Sequence, residues 1–242
     1  MRLFAKVRYD GSTYAGWQKQ INEKTIQEEI EKVFSKILNT PINIYASGRT
    51  DAGVHALGQT FHFDIDKEVD ISRLRYSSNM LLPNDIHILE LKEVKPNFHA
   101  RFSAKGKKYQ YQIYFGERNP FYFNKVLFYP LEFDLDLFKE ALSLFKGEHN
   151  YMNFTSKEED ENNFIRRIDD IDIYYDNDIL KIDISGNGFM RYMIRDIIGT
   201  ALAVASHKEN LEFVKDKLNA KERNISPYKI GPEGLYLIEV YY

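Results

Sequence analysis

Lys107-Lys-Tyr-Gln-Tyr-Gln-Ile-Tyr-Phe115 alternates Tyr109, Gln110, Tyr111 and Gln112, the two-residue period of a β-strand. Its importance lies in where it falls, because it restarts an order of elements that the chain has already run through once. Upstream, Arg2 to Tyr9 sets Leu3, Ala5, Val7 and Tyr9 against Arg2, Lys6 and Arg8, the pattern of a half-buried strand. Thr25-Ile-Gln-Glu28 reads as a capping box, and the helix it opens carries Ile26, Ile30, Val33, Phe34 and Leu38 on one face. Pro41 to Ser47 and Gln59 to Ile65 read as strands, Ile71 to Leu81 as a helix and Ile86 to Val94 as a strand. Downstream, Leu135 to Phe145 reads as an amphipathic helix, and Ile165 to Tyr175 with Ile179 to Ser185 as a hairpin. Asn187 to Ser206 has Phe189, Met193, Ile197 and Leu202 at helical spacing; a short helix at Leu211 to Leu218 and a strand at Leu235 to Tyr241 follow. The expected class is therefore α+β: two ferredoxin-like β-α-β-β-α-β halves, residues 1–104 and 105–242. Joined edge to edge, they would make one mostly antiparallel sheet with helices on one face and a central cleft, the opposite face being free to bind something large.

Composition narrows the class further. The chain has 242 residues, of which 43% are hydrophobic and 14% aromatic, and its formal net charge is −3, which excludes a disordered chain. The longest strictly apolar run, Ala201 to Ala205, is far below the ~20 residues of a membrane span. Met1 to Arg8 interleaves charge with apolar residues and has no signal-peptide core. Cysteine is absent, which excludes disulfides, thiolate metal sites and a cysteine nucleophile and points to a cytoplasmic protein. The net charge argues against a nucleic-acid partner, but the charge is unevenly placed. Lys95, Arg101, Lys105, Lys107, Lys108, Arg118 and Lys125 crowd one aromatic-rich stretch, the footprint of a surface that tracks phosphates and stacks bases. Acids gather from Glu158 to Asp176, with Glu158 to Glu161 expected as a solvated loop.

The richest segment is Ser47-Gly-Arg-Thr-Asp-Ala-Gly-Val-His-Ala56. Gly48 and Gly53 let the backbone turn sharply and approach a ligand. On composition alone Asp51 is better explained as an Asx-turn residue that bonds its own backbone. A metal site from Asp51, His55 and His62 is weakly supported, because Gly53 and Gly58 break the helix that would align them. No Gly-x-Ser-x-Gly elbow supports a hydrolytic triad.

Gly48-Arg-Thr-Asp-Ala-Gly-Val-His55 resembles the active-site signature of the tRNA pseudouridine synthases of the A type. The resemblance runs through nearly the whole chain. It includes Tyr9-Asp-Gly11, Tyr14-Ala-Gly-Trp-Gln18, Leu82-Pro-Asn-Asp-Ile86, Phe98-His-Ala-Arg-Phe-Ser-Ala104 and Lys108-Tyr-Gln-Tyr111. In the second half it includes Gly188-Phe-Met-Arg-Tyr-Met-Ile-Arg195, Gly199-Thr200 and Gly234-Leu-Tyr-Leu237. Two departures stand out: His149-Asn-Tyr151 where the family shows His-Asp-Phe, and Ile230-Gly-Pro-Glu-Gly234 where it commonly has Ala-Pro.

The resemblance implies an isomerase that breaks the N1–C1′ bond of uridine and rejoins the base through C5, with no cofactor and no metal. It implies Asp51 as the nucleophile, leaving open attack at C6, attack at C1′ or a glycal route. It further implies Arg195 as the cation that keeps Asp51 ionised, and Arg49 as the residue that fills the space left by a flipped base. Tyr109 would pack on the uracil face; His55 would contact phosphate or brace the loop; Trp17 and Gln18 would pack beneath the site. The implied substrate is the tRNA anticodon stem-loop at positions 38, 39 and 40, read by shape by a homodimer, with no DNA or membrane partner.

Overall fold

The computed structural model describes residues 1–156 and 163–242, which form two compact units: residues 1–105 with 236–242, and residues 106–235. The acidic run Glu158 to Glu161 lies outside the described residues.

The first unit runs β1 (Arg2–Tyr9), α1 (Ile26–Leu38), β2 (Tyr45–Ala46), β3 (His55–Asp64), α2 (Ile71–Leu81) and β4 (Ile86–Val94). β1 lies antiparallel between β3 and β4, and β2 pairs antiparallel with β3, the strand order of a ferredoxin-like half. Thr25 caps α1 by accepting from the Glu28 N–H. The apolar stripe of α1 brings Phe34 against Phe61 and Phe63 on one pleat of β3, with ring centroids 6.2 and 4.8 Å away. The other pleat is not bare, as the expectation of helices on one face alone would leave it. His62 lies there under the stacked ring of Tyr45, and Phe98 and Tyr242 pack on Phe4.

The expected strand at Pro41 to Ser47 shrinks to Tyr45–Ala46. Ile42 and Ile44 alternate inward as a strand would, but their N–H groups donate to Ser35 Oγ (2.9 Å) and Glu31 Oε1 (3.1 Å) on α1. Side chains of the helix have taken the donors that a strand partner would use.

The second unit runs β5 (Gly106–Tyr114), β6 (Leu127–Phe128), α3 (Leu135–Ser143), β7 (Gly147–Asn150), β8 (Ile165–Asp176), β9 (Ile179–Gly186), α4 (Met193–Ala205) and α5 (Leu211–Asn219). β5, β9, β8 and β7 pair antiparallel in that order, and β6 joins β5 in parallel. At the His149-Asn-Tyr151 departure, Asn150 Oδ1 accepts from the Met152 N–H at 3.1 Å, an Asx-turn that an aspartate would make equally.

Two expectations change here. The helix expected from Asn187 starts only at Met193, because Tyr192 takes a left-handed conformation (φ 65°, ψ −4°) and Phe189 leaves the helical path to pack edge-on against Tyr109. The last strand, β10 (Leu235–Tyr241), expected to close the second half, pairs in parallel with β3 through Tyr236–His55 and Leu237–Ala56. Residues 236–242 therefore belong to the first unit rather than to the half expected at 105–242.

Candidate active site

The signature loop leaves β2 and ends where β3 begins, four residues earlier than the Gln59 start expected, so His55 is already a strand residue. Its floor is the segment from Asp10 to Gln18. The Trp17 N–H donates to Thr50 O at 3.0 Å, and the Gly53 N–H to Tyr14 O at 3.4 Å. Between these clamps, the Val54 N–H closes a turn onto Asp51 O at 3.2 Å. Gly16 sits at φ +95°, and a Cβ there would lie 2.7 Å from Thr50 O. Only glycine permits that approach. Gly53, at φ +78°, makes the turn after Asp51.

Side chains complete the frame. Tyr9 Oη and Thr50 Oγ1 share a buried hydrogen bond of 2.8 Å, and burial raises the Tyr9 hydroxyl far above its ordinary pKa, keeping it neutral. Ser47 Oγ donates to Gln59 Oε1 at 2.8 Å, while Gln59 Nε2 donates to Gly48 O at 3.0 Å. Trp17 is buried under the loop between Tyr9 and Phe61. Asp51 is thus half-buried on a backbone held from both sides, while Arg49, two residues earlier, is exposed.

His55 is 2% exposed, and its ring stacks on Tyr236 at 4.5 Å and 19°. Its Nδ1 accepts from the Gly11 N–H (3.2 Å) with Asp10 Oδ1 3.1 Å away. Of the two roles the resemblance implies for it, that enclosure suits bracing the loop better than contact with a phosphate. His62 stands apart from Asp51, in the aromatic layer on the other pleat. There burial first, then the nearby His99 and Arg2 charges, lower its pKa to about 4. Among the described residues no three His, Asp or Glu side chains converge as metal ligands, so Asp51, His55 and His62 do not form such a set.

In the second unit, Tyr109 pairs with Ile184 across β5 and β9, is 9% exposed and meets Phe189 edge-on at 5.3 Å. Arg195 lies in the first turn of α4, half-buried. Its Nε–H donates to Ile230 O at 2.7 Å, and its guanidinium carbon is 5.0 Å from the Tyr192 ring centre. Tyr111 Oη donates to Gly231 O at 2.7 Å; burial raises its hydroxyl well above the ordinary value, helped by Glu233 and opposed by Arg195.

The basic stretch looks different once folded. Lys108 Nζ is 2.6 Å from Asp183, whose other oxygen accepts from Gln110, so this lysine serves the sheet. Cations gather elsewhere, and two of them, Arg191 and Lys229, had no role in the sequence reading that singled out Arg195. Arg191, Arg195 and Lys229 lie 4.8, 5.0 and 4.3 Å from the centre of the Tyr192 ring. A tyrosine just before a helix at positive φ costs about 1–2 kcal/mol, and only tertiary structure reveals it.

The chain is similar to known proteins along its whole length. A family model described as tRNA pseudouridine synthase matches residues 5–103 and 141–242. A protein named tRNA pseudouridine synthase A from Geobacillus sp. (strain WCH70) is 37% identical over all of this chain and 98% of its own. One of the same name from Caldicellulosiruptor saccharolyticus is 38% identical over 99% of each. A chain of a Cbf5-Nop10-Gar1 crystal structure aligns at TM-score 0.34 and 13% identity over 83% of this chain and 54% of that one, too slight a likeness to argue from. With the matched residues spanning the signature loop, the strand that carries Tyr236 and the start of α4, the chain belongs to the tRNA pseudouridine synthase family, enzymes that isomerise uridine to pseudouridine in tRNA.

Proposed function

We propose that Asp51 is the nucleophile of this isomerisation and that its targets are uridines 38, 39 and 40 of the tRNA anticodon stem-loop. The observation that carries the reading is the loop itself: a carboxylate on a backbone clamped at Thr50 and Gly53, half-buried beside an exposed arginine. A covalent step gains from such fixed placement. The N1–C1′ bond breaks, the uracil turns, C5 bonds to C1′, the C5 proton leaves and N1 ends protonated. Atoms and electrons balance within the substrate, so the step calls for no cofactor.

Stacked uridines are out of reach of a carboxylate until flipped, at a cost of a few kcal/mol. Arg49, exposed on the same loop, is the proposed residue that occupies the vacated space. The resemblance supports Tyr109 as the partner of the uracil face and Arg195 as the cation that keeps Asp51 ionised. It also supports a homodimer acting in the cytoplasm, which sedimentation of the purified enzyme with and without tRNA tests.

The deciding experiment is tritium release from tRNA carrying 5-tritiated uridine, with pseudouridine mapped in the product. Asp51→Asn is expected to abolish release while retaining tRNA binding, and the wild-type signal to map to positions 38–40. Full activity in Asp51→Asn overturns the nucleophile, and modification confined to other positions overturns the substrate site.

A further inference from the structure

We propose that Arg191, Tyr192 and Lys229, at the start of α4, form a binding site for the phosphodiester backbone of tRNA. The proposal rests on tRNA being the substrate and adds residues to its binding. Arg191, Arg195 and Lys229 all have their charges within 5.0 Å of the centre of one ring. No two of these charges are then more than ~10 Å apart, which is about the screening length at 0.1 M salt.

The arrangement is built rather than incidental. Arg191 Nη2–H donates to Tyr192 Oη at 2.9 Å, which ties the first cation to the ring. Lys229 comes from a distant part of the chain, and its segment is anchored next door. Arg195 Nε–H donates to Ile230 O at 2.7 Å, and Tyr111 Oη to Gly231 O at 2.7 Å. Arg191 and Lys229 are both exposed, as a site for a large ligand requires.

Fixed, adjacent and exposed cations of two kinds complement a ligand with repeated anionic groups. The planar guanidinium pairs with two phosphate oxygens and the compact ammonium acts as a point charge. Of the molecules this enzyme handles, tRNA alone presents such a series. Its grip here is predicted to be indifferent to base sequence, since phosphate contacts position the ligand without reading it.

The test is equilibrium binding of tRNA across a salt series for the wild type, Lys229→Ala, Lys229→Arg and the double variant Arg191→Ala/Lys229→Ala. Lys229→Ala is expected to weaken binding about 3- to 10-fold and to lower the slope of log affinity against log salt by about 1. The double variant should lower that slope by about 2, and Lys229→Arg should restore it. Affinities and slopes matching the wild type in both alanine variants overturn the proposal. So does a slope loss that Lys229→Arg fails to restore. Thermal midpoints of the variants show that the fold is intact, a mild demand because Lys229 is exposed. Tritium release by the wild type and by Asp51→Asn, run on the same preparations, tests the catalytic reading separately; the salt slope decides the cluster whichever way that assay falls.

Discussion

The Asp51 loop and the Tyr192 cluster, the two places proposed to meet tRNA, are built of opposite materials. The loop is backbone packed on backbone: Trp17 and Gly53 N–H groups to Thr50 and Tyr14 carbonyls, with Gly16 admitting the contact. The cluster is three long cationic side chains around a ring. A reacting carboxylate loses rate when displaced by an ångström, so its support must be stiff and short. A polyanion needs charge in the right region, which flexible chains supply at little cost in precision. Salt should therefore loosen the cluster while leaving the geometry of the loop unaffected.

The comparison can be broken first at Asp51, where substitution by Asn should cut turnover by about 10³-fold or more in the tritium assay. Next comes Gly16→Ala, which would place a methyl 2.7 Å from Thr50 O on a backbone at φ +95°. It is expected to lower stability by roughly 2–4 kcal/mol in urea unfolding and to reduce turnover more than tRNA affinity. Equal loss of both would show that the loop and tRNA binding are not separable.

A pH experiment probes the buried side of the same unit. His62 titrates near 4 in the fold, against about 6.5 when unfolded, because burial and the His99 and Arg2 charges disfavour the imidazolium. Between those values the unfolded chain holds a proton that the fold refuses. Stability is then complete above pH ~6.5 and falls as pH drops toward 4, by at most about 3 kcal/mol. His62→Gln, which keeps an acceptor for the Ala100 N–H but does not titrate, should flatten that decline in thermal melts at stepped pH. An unchanged decline assigns the acid sensitivity elsewhere. The smallest effect is expected for Tyr192→Phe, which keeps the ring and deletes only its bond to Arg191. Stability should change by less than about 1 kcal/mol and the salt slope hardly at all. A large loss of tRNA affinity in this variant would mean that the hydroxyl, rather than the cations, carries the contact.

Local periodicity was legible wherever burial alone sets it. Arg2–Tyr9, Ile71–Leu81 and Ile86–Val94 have the bounds their patterns imply. It misled at Ile42 and Ile44, whose inward alternation is real but whose N–H groups bond to α1 side chains. It misled again at Phe189, one helical turn before Met193 in sequence yet packed on Tyr109 from non-helical backbone. The basic stretch was visible, but not that Asp183 holds Lys108.

By itself the sequence determined the family and the plan of the fold: the signature loop with Asp51 between two glycines, the order of strands and helices, and the likeness that names the family. Those depend on residue type and short spacing. Tertiary structure alone decided which distant residues meet: Tyr236 beneath His55, β10 beside β3, Lys229 over Tyr192. Such pairs join parts of the chain related by no period, and only packing of the whole fold brings them within reach.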